Sequence, residues 1–206
     1  MMKFYYGRGT CSLASHIALA EAGADYEPIR VDMAANEQRS DAYLAINPKG
    51  RVPSLVTEEG VLTETVAILG YVAQRWPQAK LAPMDDAFAF GRMQSFNSYL
   101  ASTVHVAHAH GMRGGRWADD PEAIESMRRK APANVADCFT LIDRELLKGP
   151  WVMGEAYSVS DPYLYTIGLW IERDRVDPTQ FPNVLAHRER MEARPAVQKA
   201  LAEVAA

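Results

Sequence analysis

The sequence predicts an α/β domain followed by an all-α domain, and three observations support this prediction. Short apolar runs typical of strands alternate with helical patterns only in the part of the chain before Pro83. Beyond Pro83, helical patterns follow one another without a convincing strand. A chain of 206 residues is also long enough to bury two small cores. We therefore expect a βαβ–ββα domain over residues 1–79, a linker over 80–85 and a helical bundle over 86–206.

The predicted α/β domain opens with a strand–helix–strand pattern. An aromatic run over residues 3–6 ends at Gly7, as expected of a buried strand that leads into a loop. Apolar residues then recur at helical spacing over residues 12–22, and Gly23 supplies a stop. Residues 27–31 alternate in polarity and predict a second strand, which completes a βαβ unit.

A ββα pattern follows in the same domain. After a short helical turn at residues 43–46, residues 52–57 and 61–62 predict two strands joined by a glycine-containing turn. Residues 64–76 place apolar side chains on one helical face, and Pro77 ends that helix.

The second half of the chain is predicted to be helical. We expect the segment 111–117, rich in glycine and arginine, to interrupt the first two long helices and to bend over the functional site. Ser158 and Asp161 have the S-x-x-D spacing of a capping box at a helix start. Two shorter helices end the chain. The long helical patterns occupy about residues 86–112, 121–147 and 160–174.

Charge and composition restrict the possible functions. The 22 basic and 26 acidic side chains alternate along the chain, so no basic face is available for nucleic acid. The N-terminus lacks the apolar region of a signal peptide, and no apolar run approaches the roughly 20 residues that span a bilayer. Two cysteines fit a reducing compartment better than a disulfide scaffold. We therefore expect a cytoplasmic protein that binds neither nucleic acid nor membrane.

Pro53 lies inside a predicted strand, where a proline removes a hydrogen-bond donor. A cis peptide bond before it would expose the backbone of Val52 to a ligand that lies alongside as an extra strand. A trans proline at the start of an edge strand explains the same residue, so the residues alone leave both interpretations open.

Glu64 and Thr65 lie where a predicted strand turns into a helix. The free N–H groups of a helix start attract a ligand carboxylate, and Glu64 is suited to bind a ligand ammonium. Alternatively, Thr63 or Thr65 only caps the helix, which leaves Glu64 with the general preference of acidic residues for a first turn.

Cys11 stands at the opening of the first predicted helix. We expect the helix dipole to lower the pKa of its thiol below the reference value of about 8.5, which raises the thiolate fraction. The alternative is a small buried apolar residue, the role that we assign to Cys138. The sequence after Cys11 is not C-x-x-C, so disulfide chemistry there must take its second sulfur from solution.

Three histidines, His105, His108 and His110, lie close together on one predicted helix at a spacing that metal sites use. No carboxylate or cysteine stands at a matching interval, so we predict no metal site. His105 is better interpreted as a hydrogen-bond donor to a thiolate or a substrate, with an ordinary core or surface position as the alternative.

These motifs together resemble the cytosolic glutathione S-transferases, most closely the bacterial beta class. The resemblance covers essentially the whole chain, and its most specific part is N-P-K-G-x-V-P followed by T-E. The matching segments are Tyr5-Tyr6, residues 9–13, residues 44–53, Leu62-Thr63-Glu64 with Ala67-Ile68, Leu100-Ala101-Ser102 with His105, and residues 158–161 with Tyr163-Leu164. The resemblance implies a thioredoxin-like domain followed by a helical domain, with glutathione as co-substrate.

The resemblance also implies roles for residues in the thioredoxin-like half. The backbone of Val52, before a cis Pro53, would pair with the cysteinyl part of glutathione, and Glu64 and Thr65 would hold its γ-glutamyl end. Asn36 occupies the position of a family lysine near the glycyl carboxylate.

Residues around the glutathione sulfur are implied in the same way. Cys11 would stand beside that sulfur, and Ser102 and His105 would line the opposite side of the site. Thr10, Ser12, Cys11 and His105 are the candidates to stabilise the glutathione thiolate, because a hydrogen bond to a thiolate lowers its pKa. Tyr5 and Tyr6 are less suited, since strand alternation points one of them away.

Two departures from the family remove positive charge from the expected site. Asn36 replaces one lysine, and Val106 replaces a second one that follows the helical-domain histidine. Ser98 stands where the family has an asparagine. The possible replacements for the lost cations are Arg51, Arg113 and Arg116.

Three functions remain open at this point. The first is conjugation of glutathione to a small hydrophobic electrophile, and the second is glutathione-dependent thiol–disulfide exchange through Cys11. The third is a non-catalytic binding protein on the same fold. By resemblance, we expect a homodimer in which the thioredoxin-like domain of one subunit packs against the helical domain of the other.

Overall fold

The computed structural model describes residues 1–205, and its first part has the predicted βαβ–ββα order. The sheet has the strand order β2-β1-β3-β4, with β1 parallel to β2 and the other neighbours antiparallel. This is the thioredoxin-like arrangement that the resemblance implies. The elements are β1 (Met2–Tyr6), α1 (Ser12–Glu21), β2 (Tyr26–Arg30), α2 (Asp41–Leu44), β3 (Ser54–Thr57), β4 (Gly60–Thr63) and α3 (Thr65–Arg75).

The third strand is shorter than predicted and begins at Ser54. The peptide bond between Val52 and Pro53 is cis, and Val52 lies outside the paired residues of β3, which begin at Ser54. The structure thus contains the cis proline, the first of the two alternatives for this residue.

The rest of the described chain is helical, as predicted. The first long helix runs through a single wide π turn, Leu100–Val104, and the second ends in another, Ile142–Leu146. Two isolated bridges at residues 151–156 are the only β pairing found in this half of the described chain. The helices are α4 (Ala87–Tyr99), α5 (His105–Arg113), α6 (Pro121–Leu141), α7 (Ser160–Gly168), α8 (Pro182–Glu192) and α9 (Pro195–Ala205).

Helix α5 ends at Arg113, next to the predicted end at about residue 112, and Gly111 inside it packs closely on α6: an added Cβ would lie 3.2 Å from the Cβ of Ala131. One helical pattern differs from the prediction. The pattern at 160–174 divides into α7 and a separate short turn, Ile171–Asp174, so that Trp170 lies between them and reaches the space between the two domains.

The two domains share one continuous core. Phe4 and Leu69 from the α/β domain belong to the same apolar cluster as Phe139 and Leu164 from the helical domain. Polar contacts also join the two domains, because Oε2 of Glu203 in α9 lies 2.6 Å from Nε2 of the buried His16 in α1. The relative position of the domains is therefore fixed by packing, which gives the space between them a defined shape. No helix within residues 1–205 has the length and apolar character needed to cross a membrane.

Candidate active site

A cavity of about 510 Å³ lies between the two domains. The α/β domain lines it with the start of α1, the segment before β3 and the turn into α3. The helical domain contributes α5, the turn after it, and aromatic residues of α7 and of the segment that follows. Seven of the ten predicted site residues therefore meet at one place. They are Thr10, Cys11, Val52, Pro53, Glu64, Thr65 and His105.

The segment around Val52 is held from behind by a buried polar network. Asn47 Nδ2 and the Tyr43 hydroxyl donate to the backbone carbonyl of Arg51, at 2.7 and 2.8 Å. Both side chains also contact the Oγ of Ser54, at 3.1 and 3.0 Å. Because these groups are buried and mutually satisfied, the backbone of Val52 is presented to the cavity in one conformation.

The turn into α3 presents a helix N-terminus to the same cavity. Thr65 is the first residue of α3, so its N–H group and those of the next residues have no partner within the helix. Glu64 has a φ of 73°, a conformation that costs a non-glycine residue about 1–3 kcal/mol. Its carboxylate pairs with Lys49 Nζ at 2.6 Å, although both side chains are largely exposed. A ligand ammonium can replace this partner at little cost, because an exposed ion pair contributes at most about 1 kcal/mol.

Cys11 lines the cavity, but the prediction of a lowered thiol pKa is wrong. Burial raises the pKa of the Cys11 thiol above its ordinary value, and the hydroxyl of Thr65 and the positive charge of Arg113 oppose this shift without reversing it. The thiol points at the carbonyl of Val52, 3.8 Å away. Desolvation by the folded chain thus outweighs the helix dipole, and the thiol is protonated at neutral pH.

Ser12 is fully buried behind the cavity and does not line it, contrary to the prediction. Its Oγ accepts from the N–H of Gly7 and lies 2.7 Å from the hydroxyl of Thr10. Thr10 lines the cavity, and its hydroxyl also donates to the Gly7 carbonyl at 2.9 Å. Both hydroxyls therefore stabilise the loop after β1.

His105 reaches the cavity from the first turn of α5. Burial, together with the positive charge of Arg113, lowers the pKa of His105 to about 4. Its ring packs edge-on against Trp170 with centroids 5.0 Å apart. At neutral pH the imidazole is therefore uncharged, with one N–H to donate and one nitrogen to accept.

Ser102 and Asn36 are not brought to the cavity. The Oγ of Ser102 donates to the carbonyl of Ser98 at 2.8 Å, which turns the hydroxyl back along its own helix. Asn36 is exposed and has a left-handed conformation, and its Oδ1 accepts a hydrogen bond from Gln38. The side chains from this loop that do line the cavity are those of Gln38 and Arg39.

The other histidines of α5 are engaged by protein side chains. His108 is buried and hydrogen-bonded to Asp174, and the ring of His110 packs at a tilt against Trp117, itself a cavity residue, with centroids 4.4 Å apart. Across residues 1–205, no three histidine, cysteine, aspartate or glutamate side chains are placed to hold a metal ion.

Several cavity residues were not predicted from the sequence. Arg39 lies in an irregular loop that has no recognisable pattern. Tyr163 and Trp170 line the cavity only because the helical domain packs over α1. Tyr163 lies within the segment 158–164 that resembles the family, and this resemblance could have identified it as a candidate site residue. Nothing in the local sequence distinguished Trp170 from a core tryptophan.

Comparisons with known proteins agree with this geometry. Residues 1–74 match the model of the glutathione S-transferase N-terminal domain, and residues 85–195 match that of the C-terminal domain. Glutathione S-transferase GstA of Escherichia coli O157:H7 is 32% identical over 203 residues, which cover 97% of each chain.

Solved structures give the same result. A glutathione transferase homologue of Sulfitobacter, determined with bound glutathione, is 44% identical, with a TM-score of 0.95 and 98% of each chain covered. A beta-class glutathione S-transferase of Sphingomonas chungbukensis is 35% identical, with a TM-score of 0.85 and again 98% of each chain covered. Two family models that together span both domains, and relatives of this similarity along the full length, show that the chain belongs to the glutathione S-transferase family.

Proposed function

We propose that the interdomain cavity binds glutathione, stabilises its thiolate and directs that thiolate at a small electrophile seated against the helical domain. One observation carries the proposal. Val52, the N-terminus of α3, Cys11 and His105 all line a single cavity of about 510 Å³.

The N-terminal side of the cavity suits the peptide part of glutathione. The backbone of Val52 offers an N–H and a carbonyl to the cysteinyl residue, as an added strand would be bound. The free N–H groups at the start of α3 favour the γ-glutamyl carboxylate, and Glu64 favours its ammonium. The cation absent at Asn36 is supplied instead by Arg39, which lies against Gly50, and by Arg51, which precedes Val52; both line the cavity.

Three groups act on the glutathione sulfur in this proposal. The neutral His105 and the protonated thiol of Cys11 are hydrogen-bond donors, and the charge of Arg113 is close enough to influence the pKa of both. Donors and positive charge favour a thiolate over a thiol, so the pKa of bound glutathione falls. Thr10 is a weaker candidate, because its hydroxyl already donates to Gly7.

The helical side of the cavity suits the apolar part of an acceptor. Small side chains at Val106 and Ala109 leave room, and Trp170, Trp117 and Tyr163 provide aromatic surfaces. The thiolate attacks the electrophilic carbon, a C–S bond forms, and the leaving group departs with the bonding electrons. The thiol proton passes to solvent, and no redox partner is required.

Thiol–disulfide exchange through Cys11 is the second candidate, because the Cys11 thiol faces the place proposed for the glutathione sulfur. Cys11 thiolate would attack a glutathionylated substrate, release the substrate thiol and form a Cys11–glutathione disulfide. A free glutathione thiolate would then restore Cys11 and leave as glutathione disulfide. The raised pKa of Cys11 makes its thiolate scarce at neutral pH, so we rank conjugation first.

The variant Cys11→Ala separates the two functions. We expect it to retain conjugation of a haloaromatic acceptor within about tenfold of wild type, because His105 remains as a donor. Turnover of a small mixed disulfide should disappear. The matched control is Cys138→Ala, which removes the second thiol of the chain, a buried side chain in α6. Absence of conjugation by the folded wild-type protein would contradict the proposal.

We further propose a cytoplasmic homodimer. Phe88 near the start of α4 is 79% exposed, which is unusual for a phenylalanine on a monomer surface, and Met84 beside it is 46% exposed. The two cysteines are both free, as suits a reducing compartment.

A further inference from the structure

Four arginines line the interdomain cavity: Arg39, Arg51, Arg113 and Arg116. Among the described residues of the cavity wall, Glu64 is the single carboxylate, and it already pairs with Lys49. None of the four guanidinium groups forms an ion pair with a carboxylate of residues 1–205, in contrast to Arg128, Arg188 and Arg194, which do. The cavity therefore carries an excess of unneutralised positive charge.

The guanidinium group of Arg116 is close enough to the other three to be affected by their charges. Partial desolvation, together with the charges of Arg113, Arg51 and Arg39, lowers the pKa of Arg116 below its ordinary value. Like charges that are held close together destabilise the folded state. Anionic ligands that bind in the cavity neutralise this positive charge and stabilise the protein.

Bound glutathione would neutralise only part of this positive charge. Its γ-glutamyl carboxylate is assigned to the start of α3, which leaves the glycyl carboxylate for the arginines of the α/β wall. Arg39 lies directly against the segment before β3, since a Cβ on Gly50 would come within 2.8 Å of its guanidinium. Arg39 and Arg51 are therefore the natural partners of the glycyl end.

Arg113 and Arg116 belong to the opposite wall. Arg113 ends α5, and Arg116 lies in the short turn Gly114–Arg116 that follows. Arg113 is on the same helix as Val106 and Ala109, and Arg116 directly precedes Trp117; these three residues form the surface proposed for the acceptor. A pair of guanidinium groups beside an apolar and aromatic surface is complementary to a planar apolar molecule with a carboxylate at one end.

We propose that the electrophilic substrate of this enzyme carries a carboxylate, which Arg113 and Arg116 bind while the apolar part packs toward Trp170. This inference rests on the proposed conjugation and adds the chemical class of the acceptor. The chemistry is unchanged: in a chloronitrobenzoate, the thiolate forms a C–S bond to the ring, the C–Cl bond breaks and chloride leaves.

The test compares two haloaromatic acceptors that differ by one carboxylate, 1-chloro-2,6-dinitrobenzene and 4-chloro-3,5-dinitrobenzoate. Rates are measured for wild type and for Arg113→Gln/Arg116→Gln, with the exposed Arg144→Gln outside the cavity as matched control. The quantity compared is kcat/KM for the carboxylate acceptor divided by kcat/KM for the neutral one. We expect the double variant to lower this ratio by about 10- to 100-fold through KM of the acceptor, and the control to leave it unchanged.

Each outcome separates this inference from the proposed function. If wild type turns over neither acceptor, the conjugation itself is wrong. If it turns over the neutral acceptor but the ratio is the same in the double variant, the carboxylate site is wrong and conjugation stands. If the double variant raises KM for glutathione as much as KM for the acceptor, Arg113 and Arg116 bind glutathione and the inference is overturned.

Discussion

Replacing Asp161 by alanine is expected to lower the free energy of unfolding by about 3–5 kcal/mol, because it leaves several buried polar groups without a partner. The carboxylate is completely buried. It accepts from the N–H groups of Val152 and Ser158 at 2.8 and 2.7 Å, and it pairs with His187 at 3.1 Å. It therefore joins α7, α8 and the loop before α7, and it forms the capping box that the sequence predicts.

Chemical denaturation of Asp161→Ala and of a control, Asp120→Ala, measures this effect. Asp120 also caps a helix, since its carboxylate accepts from Ala123 N–H, but it lies on the surface, so its loss should cost only about 1 kcal/mol. Asp161→Asn keeps one acceptor oxygen and is measured in place of the alanine variant if that variant does not fold. Equal midpoints for the Asp161 and Asp120 variants would show that the buried network is not a major source of stability.

Replacing Glu64 by alanine is expected to raise KM for glutathione by about 10- to 100-fold. The change removes a charge-assisted hydrogen bond to the γ-glutamyl ammonium, which contributes about 1.5–3 kcal/mol. The effect on kcat should be smaller, because Glu64 lies at the α-amino end of the proposed peptide and away from the reacting sulfur. Initial rates at varied glutathione concentration, with the acceptor held constant, measure both quantities.

Lys49→Ala is the matched control for this prediction. Lys49 pairs with Glu64 in the free protein and competes with the ligand ammonium, so its removal should leave KM for glutathione unchanged or lower it. An unchanged KM in Glu64→Ala would contradict the proposed position of the γ-glutamyl group. So would an increase in Lys49→Ala as large as that in Glu64→Ala.

Local patterns in the sequence were sufficient for the elements of the fold. Strand alternation, helical spacing and the stops at Gly23 and Pro77 each depend on neighbours within a few residues, and the order βαβ–ββα followed from them. The helical pattern at 160–174 was harder to predict, because it divides into α7 and a separate short turn, Ile171–Asp174.

The chemistry of the site depended more on tertiary structure. Position at a helix start predicted an acidic Cys11 thiol, yet burial by distant segments raises its pKa. Ser12 has the right residue type but faces the loop, where its hydroxyl meets Gly7 and Thr10. Desolvation and the direction of a short side chain are set by packing, so the sequence around these residues could not determine them.

A pH titration of thiolate absorbance in the ultraviolet determines whether this cavity converts bound glutathione to its thiolate. The difference spectrum between the saturated complex and its components is recorded for wild type and His105→Ala. Cys11 adds little near neutral pH, because its own pKa is raised. We predict that the thiol pKa of bound glutathione lies about 1–2 units below the reference of about 8.5 and rises by about one unit in His105→Ala. A bound thiol that titrates at the reference value in wild type would show that the cavity does not stabilise the thiolate.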